Sequence, residues 1–151
     1  MAAIGRKSRL LTGLFWSVLI LVLPLLQADD KEDAREAISY VAAALTTGNT
    51  ADAMTPFDKS YPNYDKLRSY FAGLTSAFQV VSEIEITGEQ RDKQQMELSV
   101  HWALTLSDRQ ANYTQNRAAD IDVKLNRLKG KWKIVSLEPI EFFNPAARHA
   151  K

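Results

Sequence analysis

Residues 95–106 read QMELSVHWALTL, and every even position in the run is apolar: Met96, Leu98, Val100, Trp102, Leu104 and Leu106. A period of two describes a β-strand with one face in a core and the other, carrying Glu97, Ser99, His101 and Thr105, in water. At about 1.5–3 kcal/mol each, burying those six side chains is worth on the order of 10–15 kcal/mol. That is an upper bound, because an unfolded chain already hides part of the same surface. The rest of the domain is therefore expected to supply cover for that face.

The same alternation appears on either side. Before it, Val80, Ser82, Ile84 and Ile86 share one face while Gln79, Glu83, Glu85 and Thr87 share the other, and the polar stretch Gly88–Lys93 makes the turn. After it, Ser107–Asn116 reads as a polar loop. Then Ala119, Ile121, Val123 and Leu125 alternate with Asp120, Asp122, Lys124 and Asn126. Lys129-Gly130-Lys131 marks a tight hairpin, and Trp132–Phe143 is the expected final strand. Four strands joined by short turns form an antiparallel meander.

Ahead of the strands the period is that of helices. Ala34, Ala37, Ile38, Val41 and Leu45 lie on one face of a helix from Asp30 to Thr47, with acids in its first turn and Gly48 just past its end. A short helix opens at Thr50 and stops near Pro56. After the turn-rich DKSYPNY (58–64), Leu67, Tyr70, Phe71, Leu74 and Phe78 define a third helix, with Asn63 as its expected cap. Gly73 inside that helix costs it about 1 kcal/mol relative to alanine, which implies a close neighbour. Helices followed by strands with one apolar face each give an α+β architecture, in which N-terminal helices pack in a curved antiparallel four-stranded sheet.

Residues 1–28 are set apart. Arg6, Lys7 and Arg9 precede the apolar run Leu10–Leu26, and Gln27-Ala28 leads into the acidic 29–33. This is the layout of a signal peptide cut after Ala28, which assigns the chain to the periplasm or the exterior. Left uncut, the run is near the length of a single N-terminal membrane anchor. The domain expected is 29–143, with a flexible tail over 144–151. Of 19 basic and 18 acidic residues, cleavage removes three basic ones and leaves 16 against 18, a net charge of −2. Such a domain has no electrostatic affinity for nucleic acid or anionic lipid, and membrane contact is expected only through an uncleaved signal. Without cysteine, an exported fold must stand without disulfides.

The order of elements, the segment ALTTGNTADAMTPF (44–57) and the closing GKWKIVSLEPIEFF (130–143) resemble the NTF2-like superfamily, whose cone belongs to the cystatin-like class. The resemblance spans about residues 30–143 and fits an exported bacterial member. It implies a curved sheet closed around helices and a role as enzyme, small-molecule binder or assembly module, among which fold does not choose.

Enzymes of this fold place an acid or histidine inside the cone. Here the inward positions are Met96, Leu98, Val100, Trp102, Leu104, Ile121, Val123, Leu125 and Ile134, none of which moves a proton. Ser82 shares their register without a base and reads as a core hydroxyl bonded to backbone. His101 falls on the outer face near Glu83, Glu85, Asp120 and Asp122: a solvated surface, or else a metal ligand or base. Asp58, Tyr61 and Tyr64, with Asp65, cluster where the cone should open, either as a ligand rim or as a plug. Trp102 reads as core that a ligand in the cone would touch.

The expectation is thus a non-enzymatic binding or interaction domain with no catalytic residue, metal or cofactor. Its partner would be a small hydrophobic ligand held by Asp58, Tyr61, Tyr64 and Trp102, or a protein, and it would be a monomer or weak homodimer. The alternative is a lyase or isomerase with Asp58 or His101 as base.

Overall fold

The computed structural model describes residues 15–147, with side chains from Asp30 onward. The expected signal segment 1–28 therefore lies outside the residues whose side chains are described. The chain divides into two units, 1–32 and 33–151. Of the first, the backbone is helical from Phe15, where helix α1 (Phe15–Thr47) begins. Among the described residues no helix is long and apolar enough to cross a membrane. Because α1 begins at Phe15, the acids of 29–33 sit within it rather than at its N-terminus. The expected dipole contribution needs a helix that starts near Asp30.

In the second unit α1 buries Ala34, Ile38, Val41 and Leu45, the face expected from their spacing. Helix α2 (Thr50–Met54) is capped by Asn49, whose side-chain oxygen accepts from the Asp52 amide at 3.0 Å. Helix α3 (Tyr64–Ala77) buries Leu67, Phe71 and Leu74. Asn63 forms no side-chain cap there, and its amide instead donates to Glu138 Oε1 at 3.0 Å.

Strands β1 (Phe78–Arg91), β2 (Gln95–Asp108), β3 (Thr114–Leu128) and β4 (Lys131–Glu138) form one antiparallel sheet in the order β1-β2-β3-β4. All six even positions of the central run are buried. β3 and β4 turn through Lys129 (φ 51) and Gly130 (φ 76), the paired left-handed residues of a type I′ hairpin. The sheet curves over the helices with a core of aliphatic and aromatic side chains between them.

The strands depart from the simple meander at three points. Ile86 faces Val100 and Gly88 faces Ser99, so Thr87 is an extra residue and the alternation beyond it reverses. β1 thus continues where a turn was expected, and Glu89, opposite the buried Leu98, falls on the inner face. In β4, Lys124 faces Ser136 and Leu125 faces Ile134, which makes Val135 the extra residue. Leu137, expected on the outer face, is consequently buried. Finally, β4 stops at Glu138 rather than running to Phe143, because Pro139 has no N–H to give the ladder. A 3₁₀ turn, η1 (Ile140–Phe143), follows and buries Ile140, Phe142 and Phe143.

Beyond η1, residues 144–147, the described part of the expected tail 144–151, lie against α3 and β3. Gly73 of α3 lies so close to Pro145 that an added Cβ would come within 2.5 Å of the proline ring. This is the close neighbour that a glycine in mid-helix implied. Arg117 on β3 holds the carbonyls of Asn144 and Pro145.

Candidate functional site

The interior between the sheet and α3 is filled by the protein's own aromatic rings. Trp102, fully buried on β2, meets Phe143 edge to face with centroids 5.0 Å apart. Phe143 in turn meets Phe71 of α3 at 5.2 Å and Phe142 at 4.9 Å, also edge to face, the geometry favoured by ring quadrupoles. The Trp102 indole N–H donates to Ser82 Oγ at 2.8 Å. Ser82 thus serves the core as expected, but by accepting from an indole rather than by bonding to backbone.

At this end of the cone lies Arg117, the only buried charged residue among those described. It stands two residues before Ala119 in the inward register of β3, with Leu104 as its partner on β2. Its Nη1 donates to the carbonyls of Phe142 (3.1 Å) and Asn144 (2.6 Å), and Nη2 to that of Pro145 (3.3 Å). Its buried Nε has no hydrogen-bond partner. Desolvation lowers the guanidinium's pKa. The sequence carried the signal: continuing the alternation of β3 one step back from Ala119 reaches Arg117.

The four residues expected to hold a ligand are not gathered in one place. Tyr61 is buried against Phe57, its hydroxyl donating to the Leu137 carbonyl at 2.8 Å and toward Glu138 Oε1 at 3.0 Å. Burial, above all, pushes its phenol up to about 12. Asp58 and Tyr64 do come together, on an open cleft of about 480 Å³ shared with Lys59 and Lys133. The Asp58 carboxylate accepts from the Ser60 backbone N–H at 2.8 Å, and hydrogen bonding to Ser60 lowers its pKa. Trp102 is away in the core, while Asp65 pairs with Arg68 across one turn of α3 at 3.4 Å.

His101 is on the outer face as expected, between Glu85 of β1 and Asp120 of β3. Its Nδ1 lies 2.8 Å from Asp120 Oδ1. Among the described residues no three His, Cys, Asp or Glu side chains are grouped to hold a metal ion. The inner face does carry one acid. Glu89, turned inward by the bulge, binds Arg35 of α1 at 3.2 Å through Oε2, while its buried Oε1 has no partner.

No protein-family model matches the sequence, and neither does any curated protein. Solved structures do match. An NTF2-like superfamily protein from Salmonella enterica is 10% identical, with 74% of this chain and 89% of that one covered and a TM-score of 0.62. An NTF2-like protein with a cystatin-like fold from Novosphingobium aromaticivorans is 11% identical over 78% of this chain and 84% of that one, TM-score 0.63. A protein from the same organism proposed to be a scytalone dehydratase is 8% identical over 74% and 83%, TM-score 0.65. This chain therefore has the NTF2-like, cystatin-like fold. At such identities the likeness speaks for fold alone.

Proposed function

We propose that this chain is an exported NTF2-like domain that binds, without transforming, a small apolar molecule or a protein partner in the periplasm or outside the cell. The carrying observation is the end of the cone around Trp102, Phe143 and Arg117. Its walls are aromatic and its one charged group is a guanidinium, a group that stays protonated and therefore fixes a ligand rather than moving its proton. Neither residue considered as a base faces that interior: Asp58 is committed to Ser60, and His101 is on the far side of the sheet beside Asp120. Export rests on the layout of residues 1–28, and sequencing the N-terminus from an exporting host should return Asp29 first. A full-length, detergent-requiring product would replace secretion with a single anchor.

Native mass spectrometry of the processed protein from its own host tests the binding role. The expected spectrum shows the polypeptide with a retained small molecule or partner, and a bare polypeptide would count against the reading. A second reading, a lyase or isomerase, is favoured by Glu89, an inward carboxylate with one unpartnered oxygen on a fold that one neighbour uses as a proposed dehydratase. Turnover of a retained molecule that Glu89→Gln abolishes would establish that reading instead.

A further inference from the structure

Arg117 is held in an unusual way. A buried cation is ordinarily compensated by a carboxylate, yet its acceptors are three neutral carbonyls, all from the segment just after η1 begins, and its Nε is left over. A carboxylate would bring a full opposite charge and a two-oxygen fork matching the guanidinium, neither of which a backbone carbonyl offers, so it would compete well for Arg117. The segment that now occupies it is built like a ligand. Phe143 offers an apolar ring to Trp102 and Phe71, and the adjoining backbone offers oxygen to the cation. Its other fastenings are Pro145 against Gly73, Glu141 bound from outside by Lys66 and Tyr70 at 2.7 and 2.8 Å, Gln115 Nε2 donating to the Ala147 carbonyl at 3.4 Å, and the buried side chains of Ile140 and Phe142. Pro139 separates it from the β4 ladder, so it can leave without opening the sheet.

We propose, resting on the reading that the domain binds within its cone, that residues 140–147 form a displaceable strap over a site for an apolar monocarboxylate. The ligand's carboxylate takes Arg117 side-on through Nε and one Nη, and its apolar body takes the place of the Phe143 ring beside Trp102. Strap and ligand use the same cation and the same aromatic wall, so each excludes the other. The strap is then an internal inhibitor of the site, and affinity depends on how readily it opens.

Hydrogen exchange of the processed protein, with 3-phenylpropionate as probe and 3-phenylpropanol as its neutral counterpart, tests this. Saturating acid should speed exchange over 140–147 at least tenfold and leave β2 and β3 unchanged, and the alcohol should do neither. In Arg117→Gln the acid should have no effect. A strap whose exchange ignores the acid, or responds equally in Arg117→Gln, overturns the proposal. Should Arg117→Gln fail to fold, Phe143→Leu keeps the arginine and shrinks the plug. It should bind the acid at least tenfold more tightly than the unaltered protein, and equal or weaker binding overturns the proposal. If the acid binds nowhere while protein from its host retains another molecule, the carboxylate site is wrong and the binding role stands.

Discussion

Trp102 and Phe143 meet at the centre of the domain with ring centroids 5.0 Å apart and planes at 85°, one from the middle of β2 and the other from the 3₁₀ turn after the last strand. The strand brings one of the two rings and the C-terminal segment brings the other. Arg117, on the strand beside β2, fixes the backbone that carries Phe143. The contact therefore ties the packing of the cone to the conformation of its last residues.

The two faces of β2 should respond very differently to truncation. Trp102→Ala should destabilise the domain by about 3–5 kcal/mol, the cost of emptying a large aromatic site, and it also leaves Ser82 without its indole donor. His101→Ala removes an exposed pairing with Asp120 and should cost about 1 kcal/mol or less. Urea melts of the two variants make the comparison.

Acid should loosen the strap's outer fastening. Hydrogen bonds from Lys66, Tyr70 and Asn144 hold the Glu141 carboxyl down to about 2, against 4.5 for the ordinary group. In that window the unfolded chain binds the proton and the folded one does not, so stability falls as pH falls from about 4.5 to 2 and is unaffected by this group at higher pH. Glu141→Gln should flatten part of the decline. Asp58 and Asp108, also lowered, act in the same direction and keep the rest. Urea midpoints from about pH 6 to pH 2.5, for both proteins, give the two slopes.

Much of this was legible because burial imposes a period. The run around Trp102, the buried stripe of α1 and the Leu67-Phe71-Leu74 face of α3 each repeat at the spacing of their element, and nothing later in the chain alters them. The bulges were not legible, because an extra residue at Thr87 or Val135 is defined by what lies opposite on the partner strand. Their effect is a reversal of parity, which is why Glu89 and Leu137 turned up on the inner face. Of the candidate site, Trp102 was placed in the interior and Tyr61 was read as either rim or plug, and its burial makes it a plug. Arg117 lay in the inward register but one step beyond the alternation that was read. That the closing segment folds back to fill the cone depends on Pro139, which interrupts the strand despite its apolar neighbours.

Association should be weak. The outer face carries Glu83, Glu85, Glu97, His101, Asp120, Asp122, Lys124, Lys131 and Lys133, with Glu97 paired to Lys124 at 3.5 Å. With Leu137 buried, Val81, Leu128 and Val135 are its sizeable apolar side chains. A dry obligate interface needs a larger apolar centre, and exposed ion pairs add roughly 0–1 kcal/mol each and weaken with salt. Sedimentation velocity at low micromolar concentration should show a monomer, or a dimer that dissociates as salt is raised. A dimer indifferent to salt would mean that apolar surface beyond these three side chains is buried between subunits.

A double-mutant cycle on Trp102 and Phe143 is the most direct test that the C-terminal segment fills the cone. Trp102→Ala and Phe143→Ala should each lower the free energy of unfolding by about 3–5 kcal/mol. Because each ring loses its partner when the other is removed, the double variant should lose less than the sum of the two, by about 0.5–3 kcal/mol. Losses that add to within about 0.5 kcal/mol would show that the rings do not touch in solution, and the filled, strapped interior would be contradicted.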